Sequence, residues 1–239
     1  MNGDASIAER LAWIRDRIEE ACRRSGRPAG SVVLVGASKT QAPAALAAAW
    51  DAGLRVFGEN RVQEAVAKSC ELPAHVLDIE WHLIGPLQSN KVRPAVELFR
   101  AVHSIDRPGI AEALDREAAA RGRTLDGFLE VNLGGEESKH GFSPEGLADA
   151  VRPLAGLAHL RIAGLMAIPP QGDAPEDSRP WFRQLRALRD DLAARPEWHG
   201  FPGWLSMGMS DDFAVAVEEG ATHVRVGTAL FGSRRAPHP

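Results

Sequence analysis

The order of apolar and polar residues along the chain gives one helix, followed by a regular alternation of short apolar runs with amphipathic stretches. From Ile7 to about Arg24, the residues Ile7, Leu11, Ile14, Ile18 and Ala21 recur at three- and four-residue steps with charges between them, which predicts one amphipathic helix. Gly26 and Pro28 end it. Eight β-rich runs come next: Val32 to Ala37, Arg55 to Phe57, Trp81 to Ile84, Ala101 to Ser104, Phe128 to Asn132, Arg161 to Ala167, Trp204 to Ser206 and His223 to Val226. Helical patterns separate them at Pro43 to Asp51, Arg61 to Ser69, Asn90 to Leu98, Arg107 to Arg121, Pro144 to Ala155, Pro180 to Ala194 and Asp211 to Glu219. Strict alternation requires parallel strands joined by crossover helices, and eight of them make a closed (β/α)8 barrel of the TIM type.

The expected layout is a single domain: an N-terminal helix and linker over 1–30, the barrel over 31–234 and a tail over 235–239. An open doubly wound sheet is disfavoured, since no G-x-G-x-x-G follows the first strand and Val35-Gly36-Ala37-Ser38-Lys39-Thr40 makes a poor phosphate loop. The stretch from Pro169 to Arg179 is polar and rich in Pro and Asp, and is expected to be a mobile loop.

Composition narrows the chemistry. The 239 residues are 44% hydrophobic and 25% charged, an ordinary globular balance, and 28 Lys+Arg against 32 Asp+Glu leave a formal charge of -4. That balance argues against a dedicated binder of nucleic acid. Cys22 and Cys70 lack metal-ligand spacing and no secretory leader is evident, so a reduced, cytoplasmic setting is expected. No run approaches the roughly 18 apolar residues of a membrane helix. Tyrosine is absent altogether, which removes any phenol as a general acid or base. Lysine occurs only at Lys39, Lys68, Lys91 and Lys139.

Lys39 follows the first strand, at the end of a barrel where catalytic groups gather. Held beside apolar strand residues it would be desolvated, and its free amine could form a Schiff base with an aldehyde; the alternative is a strand-end lysine that simply reaches water. After the seventh and eighth strands come Ser206-Met207-Gly208-Met209-Ser210-Asp211-Asp212 and Val224-Arg225-Val226-Gly227-Thr228-Ala229-Leu230-Phe231-Gly232. Barrels commonly bind phosphate between these two loops, at the N-terminus of a short helix. Gly208 and Gly227 would let the backbone approach, with Ser210 and Thr228 adding hydroxyls; ordinary turn glycines and helix caps are the alternative. Arg225, if inward, would put a permanent charge beside the ring of any cofactor anchored there, or would form an interior ion pair. Asn60 and His82 could hydrogen-bond a cofactor or orient Lys39, although a satisfied structural histidine serves equally. Met166 fits packing inside the barrel better than ligand contact. Lys139 reads as a solvated loop lysine.

Taken together, Ala37-Ser38-Lys39-Thr40, Phe57-Gly58-Glu59-Asn60-Arg61-Val62-Gln63-Glu64, Trp81-His82-Leu83-Ile84-Gly85-Pro86-Leu87-Gln88-Ser89-Asn90-Lys91, Gly164-Leu165-Met166-Ala167-Ile168 and the two loops after strands seven and eight resemble the pyridoxal phosphate homeostasis protein family. The likeness runs from Val32 to Arg234. It implies an alanine-racemase-like barrel carrying pyridoxal 5′-phosphate as an aldimine on Lys39, with Ser210, Gly227 and Thr228 at the phosphate and Arg225 facing the pyridine nitrogen. Asn60, His82 and Met166 complete the cofactor-binding set it suggests. The expected function is a cofactor carrier in vitamin B6 homeostasis, without substantial catalysis of its own, that hands the cofactor transiently to apo-enzymes. Two enzyme readings stand beside it: an amino acid racemase or decarboxylase on the same barrel, and a Schiff-base aldolase. Related racemases pair the lysine with a tyrosine, and this chain has none. A closed barrel needs no partner to complete its core, so a monomer is expected.

Overall fold

The computed structural model describes residues 5–136 and 140–232. Its helices and strands alternate in the order α1 (Ile7–Arg24), β1 (Val33–Ala37), α2 (Pro43–Asp51), β2 (Val56–Glu59), α3 (Val62–Glu71), β3 (Glu80–Leu83), α4 (Val92–Leu98), β4 (Ala101–Ile105), α5 (Pro108–Ala120), β5 (Leu125–Glu130), α6 (Leu147–Val151), β6 (Leu160–Met166), α7 (Arg179–Ala193), β7 (Trp204–Ser206), α8 (Phe213–Glu218), β8 (His223–Val226) and α9 (Thr228–Phe231). Each strand is hydrogen-bonded to its sequence neighbours, and β1 closes the sheet on β8, so the eight-stranded barrel expected from the alternation is the observed architecture.

Helix α1 starts where the sequence says it should. Ser6 Oγ accepts the Glu9 N–H at 3.2 Å while the Glu9 carboxylate accepts the Ser6 N–H at 2.7 Å, a reciprocal cap that also holds the Glu9 carboxyl below its usual range. Its buried stripe of Leu11, Ile14, Ile18, Ala21 and Cys22 packs against α2, α8 and α9, outside the seam where β1 meets β8. The apolar core lies mainly in this outer layer, between the strands and their helices, where Phe57, Leu83, Leu129, Leu165 and Val224 are buried.

Two boundaries differ most from the sequence reading, the others shifting by one or two residues. Strand β5 begins at Leu125, three residues before the expected Phe128, because Asp126-Gly127 reads as a turn yet lies within the strand. Gly127 is needed there for space: a Cβ would stand 2.7 Å from Ile105 Cδ1. The pattern from Pro144 to Ala155 divides into α6 and a 3-10 turn over Arg152–Gly156, since Pro153 cannot donate to a continuing helix. The stretch from Pro169 to Arg179 is also more ordered than a free loop. It contains a 3-10 turn at Pro175–Ser178 in which Asp177 accepts the N–H groups of Asp173 and Ala174, and Ser178 donates to the buried Asp212 at 2.8 Å. Among the described residues no helix is long and apolar enough to cross a membrane.

Candidate functional site

The inside of the barrel is unusually polar. Where branched aliphatics would ordinarily stack in layers, His82, His103, His223, Ser206 and Arg225 are all buried. All but His223 form a continuous hydrogen-bonded column. The Glu80 carboxylate, at the exposed start of β3, meets His82 Nε2 at 2.9 Å, and His82 Nδ1 meets His103 Nε2 at 2.9 Å. His103 Nδ1 lies 2.7 Å from Ser206 Oγ, which accepts from Arg225 Nη1 at 2.5 Å. Arg225 also donates to the carbonyls of Ser206 (2.7 Å) and Ala167 (3.0 Å). Burial lowers its pKa to about 10, against the opposing pull of Glu130 and Asp212, so the guanidinium stays charged at neutral pH.

Above Arg225, at the carboxyl ends of the strands, the expected site residues gather. Ser210 Oγ accepts the N–H groups of Gly227 (3.3 Å) and Ala229 (3.1 Å), which joins the loop after β7 to the start of α9. Thr228 opens α9 with its side chain exposed. The β7 loop depends on Gly208, whose φ is 91° and whose Cβ would stand 2.5 Å from Ala216 Cβ. Asp212, buried, anchors the same loop by accepting the Met209 N–H at 2.7 Å. Asn60 follows β2, half-buried at this same end.

Lys39 also lies at this end, but its surroundings correct one expectation. The residue is exposed, not desolvated, because β1 stops at Ala37 and Ser38 takes the buried place behind it. Ser38 faces the helix layer: its Oγ donates to Glu59 at 2.6 Å and its carbonyl accepts from Lys68 Nζ at 2.8 Å, while Lys68 and Glu59 pair at 2.7 Å. Lys39 follows in a turn at the carboxyl end of β1, closed by the Gln41 N–H on the Ser38 carbonyl at 3.0 Å. Thr40 follows at φ 63°, an uncommon conformation for a β-branched residue, so the backbone beside Lys39 is strained.

His82 and Met166 are not brought to the mouth. Both ring nitrogens of His82 are engaged by Glu80 and His103, which leaves it no hydrogen bond for Lys39 or a ligand. Met166 is buried in the barrel against Ala101 and Phe128. Lys139 and the tail 235–239 lie outside the described residues. Sequence reading also missed three supporting groups. Glu59 and Lys68 form the buried pair behind Lys39. Glu130, at the end of β5, has its carboxyl pushed up by burial and by Asp106 while Arg225 pulls it down. Its signal was the i, i+2 spacing from Phe128, which puts both on the interior face.

A mouth that combines a lysine, converging N–H donors with a hydroxyl, and a buried arginine suits a phosphorylated aldehyde whose ring reaches inward. Similarity to known proteins agrees with this geometry. The alanine racemase N-terminal domain family matches residues 9–235. The pyridoxal phosphate homeostasis protein of Aquifex aeolicus is 46% identical over 230 residues, covering 96% of this chain and 99% of that protein. Its counterpart in Pseudomonas aeruginosa is 45% identical, covering 96% of both chains. Among solved structures, PipY of Synechococcus elongatus with PLP (pyridoxal phosphate) bound superposes with a TM-score of 0.82 at 43% identity, over 95% of this chain and 100% of that one. An alanine racemase of Clostridium difficile reaches 0.67 at 11% identity over 95% of this chain and 56% of its own, a likeness of fold alone.

Proposed function

The chain belongs to the pyridoxal phosphate homeostasis protein family, and on that premise we propose that it binds pyridoxal 5′-phosphate at the carboxyl end of its barrel and carries it without substantial catalysis. The observation that carries this reading is the convergence of the Gly227 and Ala229 N–H groups on Ser210 Oγ, at the end of the barrel where Lys39 and Arg225 also stand. When bound, the cofactor supplies an aldehyde that condenses with amines and an electron-withdrawing pyridine ring. The rest of the work falls to the chain.

In this reading Lys39 offers the amine that takes the aldehyde carbon. The Ser210 hydroxyl accepts two backbone N–H groups and so keeps its own proton to donate to a phosphate oxygen, with the start of α9 and the Thr228 hydroxyl beside it. Arg225, fixed on three sides, presents the remainder of its guanidinium to the ring nitrogen and keeps it unprotonated. Asn60 borders the ring, and Met166 packs beneath the site. The barrel with its flanking helix acts as one cofactor-binding unit in a cytoplasmic setting and exchanges its cargo with apo-enzymes.

Borohydride reduction of the loaded protein followed by peptide mapping tests the assignment. A pyridoxyl label on Lys39 is expected, whereas label chiefly on Lys68 or Lys91 would overturn it. Ser210→Ala removes a donor to a charged acceptor, worth about 1.5–3 kcal/mol, so affinity for the phosphate ester should fall about ten- to a hundredfold. Unphosphorylated pyridoxal should bind far more weakly than its ester, and should be nearly indifferent to that substitution.

A further inference from the structure

The hydrogen bonds beneath Arg225 run in one direction only. A guanidinium donates and never accepts, so Ser206 Oγ is the acceptor at that contact. Ser206 is fully buried, and among the described residues the other partner of its hydroxyl is His103 Nδ1 at 2.7 Å, which therefore takes the hydroxyl proton. His103 then carries its own proton on Nε2. That proton is donated to His82 Nδ1 at 2.9 Å, so His82 in turn is protonated on Nε2 and donates to the Glu80 carboxylate at 2.9 Å. Every link has one donor and one acceptor.

The reverse order fails at both ends. It would turn a bare His82 Nε2 towards the Glu80 carboxylate, lone pair against lone pair, and would leave the Ser206 proton buried without an acceptor. A doubly protonated His82 repairs the first fault and not the second. Burial holds His103 neutral, while the bond from His82 keeps the Glu80 carboxyl below its usual range and so charged at neutral pH. The His103 ring is also held in the chain by Phe128, stacked on it with centroids 4.2 Å apart and 24° between the planes.

Hydrogen bonds in series polarise one another, so an anion at one end strengthens the Ser206 oxygen as an acceptor at the other. Glu80, half-exposed, opens β3 at the amino-terminal end of the barrel, whereas Arg225 lies near the carboxyl end of β8. We propose that Glu80, acting through His82, His103 and Ser206, is a remote positioning residue for Arg225, with both histidine protons on Nε2. The proton placement is a property of the chain itself, and the effect at the ring nitrogen rests on the cofactor-binding function proposed for the mouth.

Proton–nitrogen correlation NMR of the full chain, isotope-labelled at histidine, separates the two neutral tautomers and the imidazolium. His82 and His103 should both be neutral with the proton on Nε2; an Nδ1–H form of either, or a charged His82, overturns the proposal. The effect on Arg225 is read from the affinity ratio of pyridoxal phosphate to its benzene-ring analogue, in which C–H replaces the ring nitrogen. The unaltered protein should favour the natural cofactor about tenfold, the equivalent of one hydrogen bond. Glu80→Gln keeps the shape of a half-exposed side chain while removing its charge, and should narrow that ratio about twofold. Ser206→Ala, which removes the link next to Arg225, should narrow it further. A role in folding alone would weaken both ligands alike. A ratio untouched by Glu80→Gln overturns the remote role and leaves cofactor binding standing, whereas equal affinity for the two ligands in the unaltered protein removes both that role and the contact of Arg225 with the ring nitrogen.

Discussion

Lys39 sits where a strand-end reading placed it, but it is Ser38, Glu59 and Lys68 that build its seat, and those three are spread over β1, β2 and α3. Nothing in the local pattern around Lys68 distinguishes it from a solvated helix lysine, because its partner becomes a neighbour only when β2 and α3 fold together. Removing the ammonium in Lys68→Met leaves the Glu59 carboxylate buried and uncompensated, which should cost about 3–5 kcal/mol in a chemical denaturation curve. Pyridoxal phosphate binding should weaken as well, since the Ser38 carbonyl would lose the donor that fixes the turn before Lys39. The interior histidines carry a different signature. Burial holds His103 well below its ordinary pKa and His223 at about 3, so the folded state keeps both neutral while the unfolded chain protonates them near 6.5. Between those values the unfolded state binds more protons. Stability is therefore intact above about pH 6.5 and falls with acidification towards pH 3, with a slope of up to about 1.4 kcal/mol per pH unit for each histidine. Denaturation midpoints followed across that window should show a shallower slope in His223→Phe than in the unaltered chain.

At the scale of elements, helix α1 was legible because a three-four repeat and a Gly-Pro stop agree, and the capping box the structure adds at Ser6 and Glu9 points the same way. Strand β5 was not, because the Asp126-Gly127 turn signal is local while the space that requires Gly127 is set by Ile105 on the neighbouring strand. The two loops after β7 and β8 lay between these cases. Their glycines and hydroxyls were visible in the sequence, yet the bond that unites them, from the start of α9 to Ser210, spans 17 to 19 positions and appears only in the closed barrel. Gly208 is the point where the first of these loops can be tested. A side chain there would meet both an unfavourable positive φ and the Ala216 methyl, so Gly208→Ala should destabilise the protein by about 1–3 kcal/mol. It should also lower affinity for pyridoxal phosphate more than affinity for pyridoxal, since the displaced segment carries Ser210. An equal loss for the two ligands would show that the loop shapes the mouth without contacting the phosphate.

For the molecule as a whole, eight alternating segments were enough to infer a closed barrel, but the contrast between its two ends was hidden, because alternation says which residues face inward and not what they meet there. The polar column from Glu80 to Arg225 is a product of closure, and it bears on the chemistry proposed for the mouth. Racemisation and decarboxylation generate negative charge that a pyridine ring must absorb, and a protonated ring nitrogen absorbs it best. In the proposed reading Arg225, still charged at neutral pH and held by the column, would deny that nitrogen its proton. Ring electronics alone do not decide the matter. The second deficit is the missing tyrosine: with none in the chain, no phenol can act as the opposed base. Both deficits act on the same step. The loaded protein, incubated with amino acids in deuterated water, should therefore exchange α-protons at a negligible rate, while added apo-enzyme should gain activity as it takes up the cofactor. Rapid, stereochemically productive exchange would refute the carrier reading in favour of a racemase, and failure of the apo-enzyme to recover would remove the transfer role while leaving cofactor binding intact.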